Sequence, residues 1–105
     1  MLKARSTSPL PPVVVDLLKS VGFKAWRFHY YHRAVPVLKL LVDLADDEDA
    51  AVMLALCLLS LGEPVPAALE EKVSQHSDAQ LAAHTLQRLA LYRVQFRAQS
   101  AGAQA

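Results

Sequence analysis

Hydrophobic positions along the chain fall into blocks at helical spacing. The densest is residues 50–61, AAVMLALCLLSL, in which Ser60 is the one polar side chain. Twelve residues are too few to cross a bilayer, which takes about 20. A helix that is apolar nearly all round must be covered on most of its sides. Asp46, Asp47, Glu48 and Asp49 precede the block, where acidic side chains suit the positive end of a helix. Gly62 and Pro64 follow it and stop it. The pattern predicts a central helix over 48–61 on which the rest of the chain packs.

Upstream, Val14, Leu17, Leu18, Val21, Ala25 and Phe28 recur at offsets of three and four. They predict the buried stripe of a first helix that starts at 12 or 13 and ends at 28. Asp16, Lys19, Ser20, Lys24 and Arg27 take its opposite face, and Phe23 and Trp26 flank the stripe. Gly22, in mid-helix, costs about 1 kcal/mol relative to alanine and marks a place where another helix comes close. The run HYYHR at 29–33 reads as a turn. Ala34, Val35, Leu38, Leu41, Val42 and Ala45 then predict a second helix ending at 45. Pro36 is comfortable only in a first turn, which places the start of that helix at 34 or 35.

Past the central helix, Ala67, Ala68, Leu69 and Val73 predict a short fourth helix over 66–75. Ser77 with Gln80 matches a capping box. A fifth helix over 78–97 follows, with Leu81, Leu86, Leu89, Ala90, Val94 and Phe96 as its apolar face. No segment alternates with the period of a strand, and short connections make neighbouring helices antiparallel. The fold class expected is all-α, with about five antiparallel helices. Residues 1–12, rich in Ser and Pro, read as a flexible leader, 13–97 as the helical domain, and 98–105, AQSAGAQA, as a disordered tail.

Composition adds one point. A chain of 105 residues is one domain with a modest core, yet 53% of it is hydrophobic and 20% charged. That is more apolar surface than such a core hides, and it calls for a partner or an oligomer. A net charge of +1 provides no global attraction to nucleic acid or membrane. The single Cys57 lies in the central block, makes no internal disulfide, and reads as a core residue in a reducing compartment. No apolar targeting run opens the chain, and the expected location is the cytoplasm.

Candidate chemistry is sparse. His29 and His32 are three apart, but zinc takes three or four ligands and no acidic or Cys ligand lies near them. His76 and His84 lack a partner set in the local sequence. The acidic run at 46–49 lacks the spaced oxygens and glycine of a calcium loop, and capping of the central helix accounts for it. Arg88, Arg93 and Arg97, with Tyr92, make a weak nucleic-acid footprint and suit the negative end of the last helix. There is no phosphate loop, nucleophile elbow or acid–base carboxylate pair. The expectation is a protein that is not an enzyme and uses no cofactor and no metal.

Internal spacing points to a repeat. Gly22, Tyr31, Ala34 and Leu41 are spaced like four signature positions of a tetratricopeptide repeat, small or aromatic where two antiparallel helices cross. Ala55, Gly62 and Ala67 take the matching places of a second unit. Gly22 and Ala55 are 33 residues apart, against a repeat of about 34. His29, Pro36, Pro64 and Ser74 depart from the pattern. The chain thus resembles a small tetratricopeptide-repeat protein, with two helix pairs and a C-terminal capping helix over about 13–97. A lone domain of this size resembles the small chaperones of bacterial type III secretion, of the type that holds the needle subunit. The resemblance implies a bacterial cytoplasmic chaperone whose concave face grips an amphipathic helix of a secreted or apparatus protein, at times with a small helical co-chaperone. It implies Lys19, Phe23, Trp26 and Arg27 of the first helix, and Val52, Leu56 and Leu59 of the central helix, as groove positions. Two other readings remain open at this point. One is a self-associating, homodimeric helical protein, and the other a small nucleic-acid-binding domain using the last helix.

Overall fold

A computed structural model of the chain describes residues 10–104, with side chains described through Gln95. Among the described residues there are five helices and no strand. They are α1 (Pro12–Arg27), α2 (Tyr31–Ala45), α3 (Glu48–Ser60), α4 (Ala67–Ser74) and α5 (Ala79–Gln104). The all-α, five-helix expectation holds.

Each boundary has a local cause. Pro12 opens α1, where its missing N–H would lack a partner in any case. α1 stops where His29 turns left-handed at φ 65°, and the Tyr30 N–H closes back on the Ala25 carbonyl at 2.8 Å. Asp46 ends α2 at φ 50°. Asp47 caps α3, its Oδ1 accepting the Ala50 N–H at 2.9 Å. Gly62, at φ 71°, ends α3 in the conformation that glycine adopts without a Cβ penalty.

Three boundaries differ from the pattern. α2 begins at Tyr31, so Pro36 sits inside the helix rather than in its first turn. Pro36 is exposed, so the carbonyl its missing N–H leaves unpaired is open to water. The N-terminus of α5 is held by Asp78, not Ser77. Asp78 Oδ1 accepts the N–H groups of Gln80 and Leu81, each at 3.1 Å, while the Ser77 hydroxyl donates to Glu48. The α5 backbone also stays helical over 98–104, where a disordered tail was expected; Ala and Gln are good helix formers. Most of the expected leader, residues 1–9, lies outside the described residues.

Packing arranges the helices in two rows. α2 packs on α1 and α3, and α4 on α3 and α5. α3 also touches both α1 and α5, which do not pack on each other, and α2 does not pack on α4. One row is α1, α3, α5, and the other is α2 and α4. α3 is the shared centre. Its Ala50, Ala51, Val52, Leu54, Ala55 and Cys57 are all buried, as a helix apolar nearly all round requires. Gly22 lies where α1 crosses α2. A Cβ there would come 3.1 Å from Val37 Cγ1 and 3.2 Å from Leu38 Cδ2, so the glycine sets the helix separation.

α1 turns only part of its predicted stripe inward. Leu17, Val21 and Phe28 are exposed at 64%, 49% and 57%. Leu18 and Ala25 of the stripe pack on the core, joined by Val15, Phe23 and Trp26. The apolar arc of α1 is wider than one contact, and α3 approaches on the Phe23–Trp26 flank. Lys19 Nζ holds that approach at 3.2 Å from Asp47 Oδ2. On α5 the buried positions are Ala82, Thr85 and Leu89, with Leu81 and Leu86 partly buried. Ala90 and Val94, expected inside, are exposed, and the Phe96 side chain lies outside the described residues. The Thr85 hydroxyl donates to the Leu81 carbonyl at 2.8 Å, which removes the cost of burying it.

Candidate functional site

Because α1 and α5 flank α3 without packing on each other, α3 floors a trough between them. Its orientation follows from helical spacing. Leu54 and Leu58 face a cleft of about 350 Å³ between α2 and α4. The opposite side of α3 carries Met53, Leu56 and Ser60, three and four residues apart. Met53 and Leu56 are only partly buried, although they pack on the core. At the α5 wall, Leu59 and Ser60 with Arg88, Leu91, Tyr92 and Gln95 line a cleft of about 270 Å³. On α1, Ser20, Phe23, Lys24, Arg27 and Phe28 line a depression of about 330 Å³, with Phe23 on its trough side.

The implied groove positions divide into three sets. Phe23, Trp26, Leu56 and Leu59 keep part of their surface open on this side. Arg27 is exposed on α1, and Lys19 is committed to Asp47 while lying 5.8 Å from the Phe23 ring centre. Val52 is a correction. It is 4% exposed and belongs to the core, so it has no surface left for a partner. Met53, Arg88 and Tyr92 were not singled out as groove positions. Within an unbroken apolar run nothing local separates Met53 from its buried neighbours. Arg88 and Tyr92 reach the trough only because α5 packs beside α3. Arg93, grouped with Arg88 by sequence, instead makes a bidentate pair with Glu70 on α4. That pairing further weakens the nucleic-acid reading.

One titratable cluster lies outside the trough, and the sequence had left its histidine without partners. His76, at the α4–α5 junction, has a side chain only 5% exposed. Its Nε2 meets Asp49 Oδ1 at 2.8 Å and lies 3.6 Å from Glu48 Oε2. Its Nδ1 accepts the Asp78 N–H at 2.9 Å. The Ser77 N–H and hydroxyl both donate to Glu48. Those two bonds hold the Glu48 carboxyl below its ordinary value.

Ligand atoms of Glu48, Asp49 and His76 lie within 4.8 Å of one another, close enough to raise the question of a metal. The hydrogen bonding answers it. With Nδ1 accepting an N–H, the ring proton sits on Nε2 and points at Asp49. A metal on Nε2 would force the proton onto Nδ1, against the Asp78 N–H. The cluster is a clasp that ties the start of α3 to the α4–α5 junction.

The bond to Asp49 raises the His76 pKa, against the opposing effect of burial. A group whose folded pKa is raised stabilises the fold fully below its unfolded value, and that contribution is lost as pH rises through the folded value. The His76 ring resonances in NMR are expected to titrate above the ordinary histidine midpoint. The Asp78 amide should shift with the same midpoint, because protonation takes away its acceptor. A midpoint at or below the ordinary value would remove the Asp49 bond as the dominant influence.

No described helix is long and apolar enough to cross a membrane. Comparison with protein-family models, curated proteins and solved structures returned no match.

Proposed function

We propose that the chain is a helix-binding chaperone or adaptor of the tetratricopeptide kind, which holds an amphipathic helix of a partner protein in the trough over α3 and keeps it from assembling early. The partner class is a secreted or apparatus subunit, in keeping with the family the sequence resembles. The observation that carries the reading is the incompletely covered floor of the trough, where Met53 and Leu56 sit in a helix otherwise buried on nearly every side. A bound helix is held by apolar anchors at i, i+3, i+4 and i+7, and the trough offers apolar side chains from three helices to receive them. Arg27 and Arg88, one on each wall, favour a helix with acidic flanks.

The chain has one tryptophan, Trp26, so its fluorescence reports occupancy of the trough directly. Titration with amphipathic helical peptides should change the Trp26 emission. Leu56→Asp is expected to weaken binding by about tenfold or more, with helical circular dichroism unchanged, because it places a charge among the apolar anchors. If Leu56→Asp binds as tightly as the parent chain, the helix lies elsewhere.

A further inference from the structure

The exposed apolar residues of α1 and α2 are gathered on one edge of the molecule. Val13, Leu17 and Val21, four apart, form a ridge along α1, and Phe28 continues it past Lys24. Leu40 and Leu44, four apart, continue the apolar surface on α2. The seam between them is close, since Gly22 brings Val37 against α1. α3 packs on the other flank of both helices, through Lys19 on α1 and beside Val35 and Val42 on α2. The edge therefore faces away from the rest of the fold. From their fractional exposures these six residues present roughly 600 Å², at the top of the range for the largest patch on a monomer and near the roughly 800 Å² that each partner buries in a standard interface.

Charge along the hairpin is polarised. Between Asp16 and Asp43 there are Lys19, Lys24, Arg27, Arg33 and Lys39 and no acidic residue. The tip, where α1 turns into α2, is basic and aromatic, with Arg33 5.8 Å from the Tyr30 ring centre. Of the acidic residues at the base, Asp46 is taken up by Lys72 of α4 at 2.8 Å and Asp43 lines the α2–α4 cleft with Lys39, which leaves Asp16.

We propose that this edge is the interface of a homodimer in which two copies pair antiparallel about a two-fold axis near Val21. The ridge then meets itself, the Val13 end of one copy against the Phe28 end of the other. This arrangement keeps the two basic tips apart, whereas a parallel pairing would set tip against tip. The chain's own segments do not account for the whole edge. Among the described residues, α5 packs only on α3 and α4. Residues 1–9 carry Lys3 and Arg5 and no acidic residue, so covering the tip with them would set cation against cation. This interface is on the far flank of α1 from α3, and it does not depend on the helix-binding reading.

Sedimentation equilibrium of the full chain tests it. The parent chain should be dimeric at micromolar concentration. The double variant Leu17→Glu with Val21→Glu should be monomeric with unchanged helical circular dichroism, since both side chains are largely exposed. A monomeric parent chain, or a double variant that stays dimeric, overturns the proposal. Should the double variant lose its helicity, Val21→Cys decides instead. It should oxidise to a disulfide-linked dimer under native conditions, with Cys57 buried and out of reach, and failure to cross-link overturns the interface. An equimolar mixture of Val13→Cys and Phe28→Cys should cross-link between the two variants. Cross-linking of Val13→Cys to itself overturns the antiparallel arrangement. Capture of a different protein on the edge, with the parent chain monomeric without it, overturns the homodimer in favour of that partner.

Discussion

Leu38→Ala is expected to lower the unfolding free energy by about 3 kcal/mol, within the 2–5 kcal/mol range for emptying a buried leucine site. Leu38 has no solvent exposure and lies under the α1–α2 crossing, in contact range of the position a Cβ on Gly22 would take. The close-packed backbones there leave little room for collapse into the void. A domain of this kind holds about 5–15 kcal/mol of stability in all, so one such cavity removes a large share of it. Urea unfolding followed by far-ultraviolet circular dichroism measures the loss. The slope against denaturant should stay constant and the midpoint should fall. A loss well under 1 kcal/mol would mean that α1 settles onto α2 without its leucine, and that the crossing is looser than the Gly22 spacing implies.

Cys57 should resist alkylation in the folded chain. It is fully buried in α3, and burial pushes its thiol from 9.0 up to about 11. The thiolate is the reactive form, so a shift of that size lowers the reactive fraction at mildly alkaline pH by about 100-fold, and reagent access requires opening as well. The reaction with iodoacetamide should thus be slower by at least that factor than in urea, and its rate should report unfolding. The sign for stability follows from the raised pKa. The contribution is complete below pH 9.0, and it is lost as pH rises toward about 11, because the unfolded chain ionises first. A native alkylation rate close to the unfolded one would show that the second half of α3 opens readily, and the burial of its neighbours Leu54 and Ala55 would then need revision.

How far the sequence carried the reading differs from helix to helix. α2 was fully legible in its burial pattern. Ala34, Leu38, Leu41 and Val42 are buried, with Val35 and Ala45 packed against them, because they share one face at the helical period, although Leu40 and Leu44 remain apolar outside it. α3 was legible as an element and as the centre. Its exposed strip was not, because a run with apolar residues on every side carries no phase. On α1 the periodicity was real, but the arc it marked was too broad to say which part faces inward. Phe23 and Trp26, read as flanks, are inside, while Leu17, Val21 and Phe28 are outside. The same ambiguity carried Val52 into the implied groove. The clasp between His76 and Asp49 joins residues 27 apart through a short helix, and no local pattern announces it.

By itself, the sequence determined the elements and most of their ends. Prolines, Asp47, Gly62 and the 3.6-residue period act within a few residues, so they can be read without knowing the fold. The tertiary structure alone decided which flank of α1 meets α3, and therefore which apolar residues remain outside as the α1–α2 edge. It also decided that α5 lies beside α3 and not against α1, which leaves the trough between them. Those outcomes depend on the choice among apolar surfaces that are locally equivalent, and only the simultaneous packing of all the helices makes that choice.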